Sequence, residues 1–369
     1  MTLRITGVGM ASCVGLDAVN TAAAVRAGIS RFGPLSGATV YDEDELETPL
    51  TGAAIDLLTS GYVQTARWLR LSEYALNDLI INSQLQKTMD WSDVPIIWVL
   101  PDCAGVFEWP DTDIDNIVQE FLTGTLSKIL DIELSSPAKG YFFEGQSGTA
   151  RALRGIRRSF EKGHLNAAII MSVDSLAEPL ILQNLIGAER IKTPSNSTGL
   201  TPGEGASALL VQVNEAQSLP TGTYAEILSE THMESHYDRE SVNWRNDNIL
   251  DMANNMASAI LNTVATLEEE SVFCDLYIDL NGEEWRSNVW GIAQVKLIAS
   301  SKINIDKCKE IVPGTSWGDI GAASHSASLI LAGRSFMGNY SLSTVALVIS
   351  ISDSGSIGTT LIRKSGGNS

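Results

Sequence analysis

Residues 142–175 read Phe-Phe-Glu-Gly-Gln-Ser-Gly-Thr-Ala-Arg-Ala-Leu-Arg-Gly-Ile-Arg-Arg-Ser-Phe-Glu-Lys-Gly-His-Leu-Asn-Ala-Ala-Ile-Ile-Met-Ser-Val-Asp-Ser, and no other stretch restricts the fold as strongly. The pattern predicts turn, helix, turn and buried strand. Gly145 and Gly148 permit a tight turn, 150–160 places Ala, Leu and Ile at helical spacing opposite arginines, and Gly163 ends the helix. The apolar run 167–171 then has the character of a strand covered on both faces. A polar residue at the head of such a helix meets converging backbone N–H groups, where an acyl-transfer enzyme can hold its nucleophile.

The same alternation continues on both sides. Residues 3–15 read as a strand entering a Gly-rich turn, followed by a helix to Gly28 with Asp17 near its N-cap. Helices are expected at 62–86, 111–132 (after Pro110), 178–186, 247–267, 289–299 and 321–333, and strands at 94–100, 224–229, 273–280, 345–351 and 359–363. The class is therefore α/β, with mostly parallel central strands. A dinucleotide fingerprint does not fit the first turn, because Ser12 stands where its third glycine belongs.

A formal charge of −19 opposes a general nucleic-acid role. One local exception is the basic stripe Arg151, Arg154, Arg157, Arg158 and Lys162, which either receives an acidic partner or pairs with neighbouring carboxylates. The apolar runs are too short to span a bilayer and the N-terminus lacks a signal peptide's pattern, so a cytoplasmic protein is expected. Cys13, Cys103, Cys274 and Cys308 are far apart in sequence and read as small buried hydrophobes. His232-Met-Glu-Ser-His236 resembles a zinc-protease helix with its Glu one place late, and reads instead as two exposed histidines. No metal or cofactor is expected. A serine-hydrolase elbow at Ser147, with His325 as base, lacks its second glycine because Thr149 stands there, and His325 belongs to a small-residue helix.

Residues 142–175 resemble the nucleophile region of β-ketoacyl-ACP synthases of the thiolase superfamily. Two further segments carry the resemblance: Ala27-Gly-Ile-Ser30, like the family's Ala-Gly-x-Ser helix end, and Gly203-Glu-Gly-Ala206, like its Gly-Glu-Gly-Ala turn. The resemblance implies a thiolase-like five-layered αβαβα fold from two pseudo-symmetric halves, 1–213 and 221–369. It also implies dimerisation through the strand before the nucleophile turn, here 138–143. Glu204 reads as a buried structural carboxylate bonded to backbone N–H groups.

Condensation in that family needs a thiolate to carry the acyl chain and two side chains to polarise the malonyl thioester. Counting back from Gly163 sets Gln146 at the family's cysteine. Asp279-Leu-Asn-Gly-Glu283 sets Asn281 at one histidine, and Trp317-Gly-Asp-Ile-Gly-Ala-Ala323 sets Gly318 at the other, with Asp319 beside it. No condensing set remains at these vestigial positions. Asp319, next to Asn281 without a cation, is expected to be desolvated. Ser147, Gly355 and Gly358 are candidates for contacting a bound substrate.

The resemblance is nearest to the chain-length factor, a subunit that also carries Gln at the nucleophile position and pairs with an active ketosynthase. It implies a catalytically inactive ketosynthase-like subunit that acts as a binding or structural partner, as homodimer or as heterodimer with a ketosynthase-like protein. Two alternatives stay open. One is an accessory or adaptor protein of a bacterial secretion effector locus. The other is a residual acyl-carrier-dependent decarboxylase or acyltransferase in which Gln146 holds the thioester carbonyl. An acyl carrier protein or a secretion effector are the further partners implied.

Overall fold

A computed structural model of the chain describes residues 2–41, 46–82, 91–102, 114–213, 223–239, 241, 243–267, 274–300 and 302–366. Cys103, Pro110 and the expected junction between the halves lie outside these residues. The strands are β1 (Leu3–Ser12), β2 (Gly33–Tyr41), β3 (Glu47–Gly52), β4 (Ile96–Leu100), β5 (Tyr141–Phe143) and β6 (Ala167–Ser175), then β7 (Glu204–Val213), β8 (Ala225–Met233), β9 (Asp275–Ile278), β10 (Lys309–Ile311), β11 (Val345–Ile351) and β12 (Ile357–Arg363).

Ten strands follow the order β10-β9-β11-β12-β8-β1-β7-β6-β4-β5, while β2 and β3 form a separate hairpin. Read outward from the β1–β8 junction, the two arms are the same. In each arm four strands point one way and one, β7 or β12, is inserted antiparallel between neighbours. The two arms of the sheet pair with each other through Leu3↔Ile227, Arg4↔Glu226 and Ile5↔Ala225, and an Arg4–Glu226 ion pair of 3.1 Å reinforces the seam.

The layers follow from which faces are apolar. The helix Gln64–Asn82 buries Trp68, Leu71, Ala75, Leu76 and Leu79 on the outer face of β1, β7 and β6. Ile249–Val264, flanked by Glu284–Ser300, covers β8 and β12 in the same way. Two central helices, Gly148–Glu161 and Ser324–Met337, touch each other and strands of both arms. The second is buried along nearly its whole length and is built of Ser, Ala, Leu and Ile with one histidine, so both sheets approach it closely. Helix, sheet, paired helices, sheet, helix gives the five-layered αβαβα arrangement.

Each central helix begins in a tight turn that opens on a left-handed glycine, Gly145 (φ 56°) and Gly321 (φ 52°). Each turn is capped by the opposite arm. Ser352, just past β11, accepts from Ser147 N at 2.8 Å, and Asp174, at the end of β6, accepts from Ala322 N at 3.0 Å. A Cβ at Gly321 would stand 1.9 Å from Asp174 Oδ2, so that turn has room only for glycine. No described helix is long and apolar enough to cross a membrane.

Candidate functional site

The crossed caps bring the two turns to the middle of the molecule, and the polar residues named by their position in the sequence meet there. Gln146 is buried at the head of Gly148–Glu161, and its Nε2 lies 3.4 and 3.5 Å from the two carboxylate oxygens of Asp319. Asn281, just past β9, donates to Asp319 Oδ2 at 2.7 Å and to Glu283 at 3.0 Å. Asp319 Oδ1 also accepts from Gly321 N at 2.8 Å. The carboxylate is thus buried as expected, but donors from three segments replace its water.

Gly318 stands apart. Its φ of 72° and the Thr201 carbonyl oxygen, 2.6 Å from where a Cβ would sit, leave no room for a side chain, a histidine included.

Asn281 continues into a network that the sequence did not reveal. Glu283 receives both arms of Arg190 at 2.7 and 2.9 Å, and Arg190 also grips Asp353 at 2.8 and 2.9 Å. Arg286, wholly buried, donates to Asp353 at 2.9 Å and lies 3.5–3.6 Å from Glu283 and Asp279. Against the cost of burial, Arg190 and Arg286 hold Asp353 well below the usual carboxylate range. Burial pushes Asp279 up to about 7 despite Arg286, and pushes Asp174 up to about 8 despite its backbone donors. Asp174, Arg190, the 279–286 stretch and Asp353 lie apart in sequence, and each charge alone reads as a surface residue.

A cavity of about 310 Å³ opens beside Gln146. Its lining joins apolar Leu176, Ile181, Leu185 and Ala188 to charged Arg190, Arg239, Arg245, Asp102, Asp174 and Asp353. The suggested substrate contacts Ser147, Gly355 and Gly358 are not among its lining residues. Ser147 is fully buried under Ser352, a Cβ at Gly355 would meet the Tyr237 ring at 2.7 Å, and one at Gly358 would meet Ser147 O and Ala150 Cβ at 3.0 Å. These two glycines permit close packing.

His232 corrects the reading of two exposed histidines. His236 is exposed, but His232 is buried, with Nε2 3.3 Å from Ser147 Oγ and 3.6 Å from Glu144 Oε2. One ring nitrogen faces both groups, so this is not a hydrolase relay, in which serine and carboxylate take opposite nitrogens. Burial works against the charge of Glu144, but His232 and Arg151 hold its carboxyl below the usual range. His325 does not reach Ser147. It bonds Ser350 at 2.7 Å and Thr360 at 2.9 Å, and burial lowers its value to about 3. Among the described residues no cluster of His, Cys, Asp and Glu is arranged to hold a metal ion.

The basic stripe divides. Arg151 pairs with Glu144 and Arg157 holds Glu230 through two bonds of 2.6–2.7 Å, whereas Arg154, Arg158 and Lys162 are exposed and form no ion pair among the described residues. Glu204 accepts from Ile55 N, Thr59, Arg67 and Ser175 at 2.5–2.7 Å, so it joins β7 to three segments as a structural carboxylate, though side chains supply most of its donors. Two of the thiols prove to be neighbours. Cys274 N donates to Cys308 Sγ at 3.4 Å, because β9 and β10 run side by side in parallel.

No family model matches the sequence, and no curated protein does. Solved structures do. An ishigamide ketosynthase/chain length factor matches 99% of this chain and 100% of its own at 16% identity and a TM-score of 0.64. The chain has the thiolase-like ketosynthase fold. The ketosynthase from module 6 of the bacillaene synthase of Bacillus subtilis 168 matches all of this chain and 73% of its own, at 12% identity and a TM-score of 0.71. A ketosynthase solved with its type II acyl-carrier protein and a hexaketide matches 98% of this chain and 99% of its own, at 12% identity and a TM-score of 0.69. Within the ketosynthase fold, Gln146 heads the central helix, and Asn281 and Asp319 close over it from the second arm.

Proposed function

We propose that this chain is a non-condensing ketosynthase-fold subunit that works by binding a partner. One observation carries the reading: the turn at the head of the first central helix presents Gln146, and the group facing it is the carboxylate of Asp319, held by Asn281. An amide cannot carry an acyl group as a thiolate does, and an anion in that place opposes the negative charge that develops as a malonyl thioester loses CO2. The same anion disfavours a decarboxylase.

The partner reading is supported by β5, the last strand of its arm. Among the described residues β5 pairs with β4 alone, through Trp98↔Tyr141, Val99↔Phe142 and Leu100↔Phe143, and all three of its residues are aromatic and half-buried. A strand edge that no described strand pairs invites a second strand. A related ketosynthase-like chain or a second copy would cover it about a two-fold axis. Exposed Arg154, Arg158 and Lys162 give an otherwise acidic chain a local patch for an acidic carrier protein.

Light scattering on the purified chain, alone and co-expressed with a ketosynthase encoded beside it, tests this. A dimer in either sample is expected, and β5 with Phe142→Asp should lose it. A monomer in both overturns the subunit reading.

A further inference from the structure

The cavity beside Gln146 has an unusual balance. Arg190 is saturated by Glu283 and Asp353, and Arg239 pairs with Asp102 at 2.5 Å. Arg245 has no such partner among the described residues: it forms no ion pair, and its buried Nε has no hydrogen-bond partner. The guanidinium is held instead by ring faces, 4.7 Å from the Trp244 centroid and 5.8 Å from Trp285. Burial, and Arg190 next, depress its proton affinity; Asp353 and Glu283 oppose this from a distance, but both are already bonded by Arg190, and Asp353 by Arg286 as well. Asp174, also in the lining, does not supply an anion, since burial pushes it up to about 8. The cavity's apolar lining comes from the helix Pro179–Gly187 and the segments beside it.

A ligand that satisfies both kinds of lining has an anionic head and an aliphatic tail. A guanidinium whose faces are stacked on indoles offers its N–H edge, and a planar carboxylate matches that edge with two parallel bonds. The volume, about 310 Å³, suits a small molecule. We propose that the cavity binds a short aliphatic carboxylate, its head held by Arg245 and its chain against Leu176, Ile181, Leu185 and Ala188. The inference rests on reading the cavity as a binding site rather than a condensing one. It is independent of the partner.

Titration of the intact chain with hexanoate, followed by calorimetry and by the fluorescence of Trp244 and Trp285, tests it without turnover, so a negative result leaves the non-condensing reading untouched. Hexanoate is expected to bind; hexan-1-ol, the tail without the charge, and inorganic phosphate, the charge without the tail, are each expected to bind at least about tenfold more weakly. Arg245→Gln should weaken hexanoate by a similar factor, and so should Ile181→Glu at the other end of the ligand. Hexan-1-ol or phosphate matching hexanoate would overturn the proposal, as would unchanged affinity in folded Arg245→Gln or no binding of hexanoate at about 10 mM. Should Arg245→Gln fail to fold, the three probes on the unaltered chain decide the matter alone.

Discussion

Replacing Arg286 with methionine, which keeps much of the volume and removes the charge, probes the network behind the site. Its guanidinium is wholly buried, donates to Asp353 at 2.9 Å and to the Ile351 carbonyl, and lies 3.6 Å from Asp279. Glu283 and Asp353 would keep Arg190, but no other cation forms an ion pair with Asp279 among the described residues. Removing one partner of such a buried set costs about 3–5 kcal/mol. The cost should depend on pH. Asp279 is raised from an ordinary 3.8 to about 7, so its contribution to stability is fully present below the unfolded value and is lost as pH rises toward the folded one. Arg286 is the foremost group opposing that rise, so without it the loss continues above about 7, at about 1.4 kcal/mol for each further pH unit until the new value is reached. Urea unfolding followed by tryptophan fluorescence should show the full deficit at about pH 8 and a smaller one at about pH 5. A deficit below about 1 kcal/mol at the higher pH, or one that does not shrink at the lower, would refute the reasoning.

Gly318→His should cost about 1–3 kcal/mol or more from the left-handed backbone alone, before the clash with Thr201 O is counted, and a thermal melt checks it against unchanged stability. Arg67→Met should destabilise by about 3–5 kcal/mol, because it leaves the fully buried Glu204 carboxylate without its cation; the same melt reads it. Cys308, lowered by its hydrogen bond with Cys274, should alkylate with iodoacetamide well before Cys13, which burial raises to about 12. Peptide mass spectrometry gives the order, and Cys13 reacting first would contradict it.

The strands buried on both faces were legible because their sequences admit little else: β4, the first part of β6 and β11 are nearly continuous apolar runs. The hairpin of β2 and β3 was not, since Gly, Pro, Ser and Thr alternate there with few apolar residues and the hairpin covers only a small satellite core. Nor does the helical pattern of 111–132 reveal that Ile117–Thr123 is wound as a π-helix. Gln146, Asn281 and Asp319 could be found because the family resemblance runs through the glycine-bearing turns beside them. Arg190, the pair Glu283 and Arg286, and Asp353 come from three separate segments, and only the folding of one arm onto the other gives them a common address. His232 was misread for a related reason: in a half-buried strand each residue alternates in exposure, and sequence alone left open which face Gly148–Glu161 would cover.

The account turns on Gln146 as the end of the condensing chemistry. Incubating the purified chain with acyl- and malonyl-loaded carrier protein, and following 3-oxoacyl product by mass spectrometry, measures that directly. No time-dependent product is expected, with or without Gln146→Ala. A 3-oxoacyl product that accumulates with the unaltered chain and disappears with Gln146→Ala would contradict it.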